Sequence, residues 1–116
     1  MEIRLDIRNV DLPRRSAGSL RARLDRLLAR LGRHVARVHV TLKDDNGPRG
    51  GRDKVCVMRT ELLDGRQIVV VDRSERLGRA IVGSVRRSKA LIQRALRRRL
   101  AGRRQAFLLD ASLSGA

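Results

Sequence analysis

The periodicity of one long segment constrains this chain more than anything else in it. From Ser74 to Arg104, setting Leu77 at zero and turning about 100° per residue gathers nine residues into an arc of roughly 160°. They are Ala80, Ile81, Ser84, Val85, Ser88, Leu91, Ile92, Ala95 and Leu96. That arc is the buried stripe of an amphipathic helix. The opposite arc carries Arg79, Arg86, Arg87, Lys89, Arg94, Arg97 and Arg98, and Glu75 is the only acid in the segment. Ser74 alone, or Asp72 with Glu75 three residues on, offers an N-cap, and the cations toward the far end suit the negative pole of the helix dipole. At about 1.5 Å per residue the helix is roughly 40 Å long, against about 23 Å for a seven-residue strand, so its last turns should overhang whatever sheet it covers.

The rest of the chain supplies that sheet. Ile3, Leu5 and Ile7 alternate with Glu2, Arg4, Asp6 and Arg8, the period of a half-buried strand. After Pro13 a helix is predicted from an N-cap at Ser16 to Gly32, a residue suited to the left-handed turn that often follows a helix. Leu20, Leu24, Leu27, Leu28 and Leu31 share one side of it, with Arg23, Arg26, Arg30 and Arg33 on the other. Val38, Val40 and Leu42 mark a second strand. Cys56, Met58, Thr60 and Leu62 share a parity in a third, and Asp64-Gly65 signals a two-residue hairpin into a fourth, Arg66 to Asp72. The order strand, helix, three strands, helix predicts an α+β sandwich, β-α-β-β-β-α: a four-stranded sheet with two helices on one face, the first strand parallel to the second. One domain spans residues 1–104, and residues 105–116 read as a flexible C-terminal tail.

Composition narrows the function. The 116 residues are 41% hydrophobic, enough for one core. Lys plus Arg is 28 against 12 for Asp plus Glu, a net charge of +16, which makes a polyanion the default partner: nucleic acid ahead of an anionic membrane surface. Two helices repeat the cationic bias, with few acids spaced for i,i+4 pairing. No apolar run is long enough to span a membrane, and the N-terminus lacks the apolar region of a signal peptide, so a cytoplasmic protein is expected. With no Trp, no Tyr and a single Phe, binding must rest on arginine rather than on base stacking.

Other motifs point away from catalysis. Cys56, the single cysteine, leaves no internal disulfide or multi-cysteine zinc site, and its strand parity is that of a buried small residue. His34 and His39 have no Ser or Cys partner at a recognisable spacing, and His39 is expected on the open sheet face. No carboxylate pair stands out. The loop from Asp44 to Asp53 has neither the ligand spacing of a calcium loop nor the Gly-Lys-Ser/Thr of a phosphate loop, although Arg49, Arg52 and Lys54 could touch a backbone phosphate. No enzyme, metal or cofactor is expected.

The run from Asp44 to Cys56, Asp-x-Asn-Gly-Pro-x-Gly-Gly-x-Asp-Lys-x-Cys, sits within HVTLKDDNGPRGGRDKVCVMRTEL (His39 to Leu62). It is followed by VVVDRSERLGRAI (Val69 to Ile81) and the arginine-rich helix. Over roughly residues 2 to 100 the sequence resembles the ribosome hibernation factor family, also called the ribosome-associated inhibitor or sigma-54 modulation protein family, in its short form. The resemblance implies a fold similar to double-stranded RNA-binding domains. It implies binding to the small ribosomal subunit and its 16S rRNA, in the channel used by messenger and transfer RNA, with translation blocked under starvation or in stationary phase. It implies RNA contacts from Arg87, Arg94 and Arg98, to which the helical wheel adds Arg79, Arg86, Lys89 and Arg97. The first helix adds Arg23, Arg26 and Arg30. Gly78 stands where relatives commonly hold an aromatic. A monomer without small-molecule substrate or membrane contact is expected. The competing expectations are a regulator that binds a transcription factor or polymerase subunit, and a nonspecific nucleic-acid binder.

Overall fold

The computed structural model describes the backbone of residues 1–10, 14–45 and 54–114, and the side chains of these except 14–16 and 99–114. The elements are β1 (Glu2–Arg8), α1 (Arg14–Leu28), a 3-10 turn (Ala29–Leu31), β2 (Val35–Asp44), β3 (Lys54–Leu62), β4 (Gln67–Ser74) and α2 (Leu77–Ser114). The strands lie in the order β1-β2-β3-β4. β1 runs parallel to β2 through the α1 crossover, and the other pairs are antiparallel. The molecule has the expected α+β order.

Strand register fixes what each face of the sheet presents. Ile3, Val38, Thr60 and Ile68 form one row on the helix side, Leu5, Val40, Met58 and Val70 the next, and Ile7, Leu42, Cys56 and Asp72 the third. Leu24, Leu28 and Leu31 from the first helical segment and Ala80, Ile81, Val85 and Ile92 from α2 close over them. Leu24, Val40, Leu42, Cys56, Met58 and Ala80 lose all solvent exposure. A Leu or Met buried to this degree contributes about 1.5–3 kcal/mol, so these rows dominate stability.

α2 meets the sheet through small residues. Ala80, Ser84 and Ser88, each four apart, are completely buried. The Ser84 hydroxyl donates to the Cys56 carbonyl at 3.3 Å, whereas the buried Ser88 hydroxyl has no partner among the described residues. One turn away, a Cβ on Gly83 would lie 1.9 Å from an Asp72 carboxylate oxygen. Asp72 fills the space that a side chain there would occupy.

Several local expectations need correction. α1 begins at Arg14, so Ser16 lies within its first turn and is not the cap; a proline just before, as Pro13 stands in the sequence, is compatible with that earlier start. Gly32 keeps right-handed angles, φ −58 and ψ −25, because the chain tightens into the 3-10 turn and the Gly32 N–H bonds the Ala29 carbonyl. The left-handed residues are Asn9 at φ 55 and Gly65 at φ 91. The hairpin loop holds three residues, Leu63 to Gly65. Leu62 N–H donates to the Arg66 carbonyl at 2.8 Å and Gly65 N–H to the Leu62 carbonyl at 3.0 Å, a turn closed by one left-handed glycine.

The ends of α2 also differ from expectation. Ser74 still belongs to β4, and its hydroxyl accepts the Arg76 N–H at 3.3 Å. The helix starts at Leu77, and Asp72 is held in register opposite Cys56, out of reach of a capping box. At the other end α2 continues past Arg104 to Ser114, through the residues read as a tail. That stretch lacks proline, and its Ala, Leu and Gln residues are good helix formers. Leu91, at the margin of the apolar arc, is 38% exposed.

Candidate nucleic-acid interface

The helix side of the molecule is cationic because α1 and α2 each carry a single acid, Asp25 and Asp110, among their many basic residues. Among the described residues every ion pair lies on the strands, at the end of β2 or in the hairpin. Glu2 holds Arg4 at 2.9 Å and Arg37 at 3.2 Å. Asp6 holds Arg8, Asp64 holds Arg66, and Asp45 holds Arg73. Lys54 is paired with Asp44. Hydrogen bonds first from Arg4 and then from Arg37 keep the Glu2 carboxyl below its ordinary value. Among the described residues no such partner reaches the arginines of α1 and α2.

Those arginines line a groove between the two helices. Its larger part, about 550 Å³, is bounded by Arg23, Arg76, Arg79 and Arg86, with Gly78, Val82 and Gly83 as its floor. It continues into about 260 Å³ bounded by Arg23, Arg86 and Lys89 over Leu27, Val82 and Val85. No described carboxylate lines either part. Position Gly78 faces open space, since a Cβ there would meet nothing within 4 Å. Glycine at this position offers no stacking surface. A channel of this kind presents several guanidinium forks around a shallow apolar floor, and such forks match phosphate oxygens bidentately.

The ten cations singled out from sequence are not all in one place. Arg23, Arg79, Arg86 and Lys89 converge on the groove. Arg26 and Arg30 are exposed farther along the same segment, three and seven residues past Arg23 and therefore on its side of the helix. Arg97 is exposed and, by helical spacing, lies in line with Arg79 and Arg86. Arg87 turns the other way: its guanidinium donates to the Val71 carbonyl on β4 at 2.9 Å. Arg94 and Arg98, seven and eleven residues on, share that flank and are exposed. Arg76 was missed. It precedes the periodic stripe, and only the turn from β4 into α2 brings it beside Arg79. Arg49 and Arg52 lie outside the described residues.

An α+β sandwich with both helices on one side and a cationic groove between them is the class this molecule represents, and solved structures share its fold. A ribosomal subunit interface protein from Coxiella burnetii matches with a TM-score of 0.65, at 14% identity, over 82% of this chain and 97% of its own. The N-terminal domain of Protein Y from Thermus thermophilus matches with a TM-score of 0.61, at 21% identity, over 81% of this chain and 98% of its own. At these identities the likeness is one of fold. No family model and no curated protein sequence matches the chain.

Proposed function

We propose that the protein binds the small ribosomal subunit through the helix face, occupies the channel that messenger and transfer RNA would use, and keeps ribosomes inactive under stress or in stationary phase. The observation that carries this reading is the carboxylate-free groove of Arg23, Arg76, Arg79, Arg86 and Lys89 on a fold shared with a ribosomal subunit interface protein. Guanidinium forks held by two helices at fixed spacing suit the phosphates of a folded RNA, recognised by shape rather than base by base. The action is steric. The protein works as a cytoplasmic monomer on 16S rRNA, without catalysis or cofactor.

Co-sedimentation with separated ribosomal subunits, with transfer RNA as competitor, tests this. Stoichiometric binding to the small subunit, displaced by transfer RNA and lost in Arg79→Glu/Arg86→Glu with the fold intact, is the expected result. Equal binding to both subunits that vanishes at moderate salt would reduce the protein to a nonspecific polycation. Retention of a protein partner at salt that strips RNA would favour a regulator of the transcription machinery.

A further inference from the structure

The side of the sheet away from the helices carries a second cationic groove, and the geometry points to it as a separate RNA phosphate site. On this face β1 Arg8 stands opposite β2 Lys43, and β2 His39 opposite β3 Arg59. Between these two rows lie Thr41 and Val57, and Asp6, outside the depression, is the β1 partner of Thr41 in the same row. The six residues enclose a depression of about 280 Å³. Rows two residues apart along a strand are separated by roughly 6.6 Å, so cations flank a floor of one hydroxyl and one valine.

The two ends of this face differ in charge. At the far end Glu2 and Glu61 neutralise Arg4 and Arg37 in a chain of ion pairs. In the groove, Arg8 alone has an acid, Asp6 at 2.9 Å. Among the described residues the side chains of Lys43 and Arg59 make neither an ion pair nor a hydrogen bond, and no carboxylate lines the depression. Two unpaired cations converging on one concave site raise the local potential and are stabilised by an anion placed between them. The inference rests on the RNA-binding reading above and adds a second face to it. The occupant is the phosphate backbone of an RNA segment other than the one at the helices, so the sheet sits between two RNA surfaces.

The salt dependence of binding to a 20-base-pair RNA duplex tests the site in the full chain. Replacing Lys43 and Arg59 with Gln is expected to lower the log-log salt slope by about 1.4–1.8, whereas Lys43→Arg/Arg59→Lys keeps it. A photoreactive benzoylphenylalanine at Thr41 is expected to crosslink to the duplex, and to lose that crosslink in the Lys43→Gln/Arg59→Gln background while thermal melts stay unchanged. A wild-type slope in the double Gln variant, or no crosslink from Thr41 while the duplex is bound, overturns the second site. So does a crosslink that forms with anionic phosphatidylserine vesicles and not with the duplex, since that assigns the groove to a membrane. Failure of the wild type to bind small subunits, with duplex binding and the Thr41 crosslink intact, strikes the ribosomal reading and leaves the groove standing.

Discussion

Ser84 and Ser88 are chemically identical and one helical turn apart, yet their hydroxyls have opposite value. Ser84 supplies a bond to the Cys56 carbonyl; Ser88 carries a buried hydroxyl with no described partner. Ser84→Ala should cost about 1 kcal/mol and Ser88→Ala should be neutral or stabilising, as read by denaturant midpoints at unchanged m. Cys56 gives a pH-dependent case. Burial pushes its thiol above the ordinary value of 9.0, with the Ser84 hydroxyl opposing and the Asp72 carboxylate adding to the rise. The folded value exceeds the unfolded one, so the thiol's contribution to stability is intact below about pH 9 and falls as pH rises through the folded value. Alkaline melts should show that loss in the wild type and less of it in Cys56→Ala, and thiol reagents should label the native protein only as fast as it opens. The buried parity of both residues was legible in the sequence from period alone. Which serine finds an acceptor was not, because that depends on how closely α2 approaches β3.

At the scale of elements, periodicity revealed every strand and both helices, and failed where a local choice is made by neighbours. Asp64-Gly65 announced the hairpin correctly, but the loop takes three residues because a single left-handed Gly65 closes it. The groove cations were only partly legible. Wheels order side chains around one axis, and the convergence of Arg23 with Arg76, Arg79 and Arg86 is set by the placement of two axes. Arg87 shows the difference most clearly: the wheel groups it with the outward arginines, and the structure lays it along β4, an edge strand. Val69 and Val71 on that strand are 51% and 46% exposed. Edge strands with unprotected backbone acceptors and exposed valines invite pairing with another sheet. Arg87→Ala should cost at most about 1 kcal/mol in stability while raising concentration-dependent self-association in sedimentation velocity. Adding Val71→Lys should suppress that association.

For the whole molecule the governing quantity is a net charge of +16 with the described ion pairs confined to the sheet and hairpin. The two helices are therefore held together against their own repulsion. Raising potassium chloride from about 0.05 to about 0.5 M shortens the screening length several-fold, and should raise the melting temperature by a few degrees instead of lowering it. A fall in melting temperature over that range would mean that the strand ion pairs outweigh helix repulsion.

The way α2 is seated has a wider meaning. Its grip on the sheet is made by alanine, serines, valine and isoleucines on one side, and the core requires nothing from the side that faces outward. Under the RNA-binding proposal, affinity and foldedness are written on opposite halves of a single helix. Descendants of such a chain are free to exchange one surface arginine at a time, retuning which ligand is held and how tightly, without passing through an unfolded intermediate sequence.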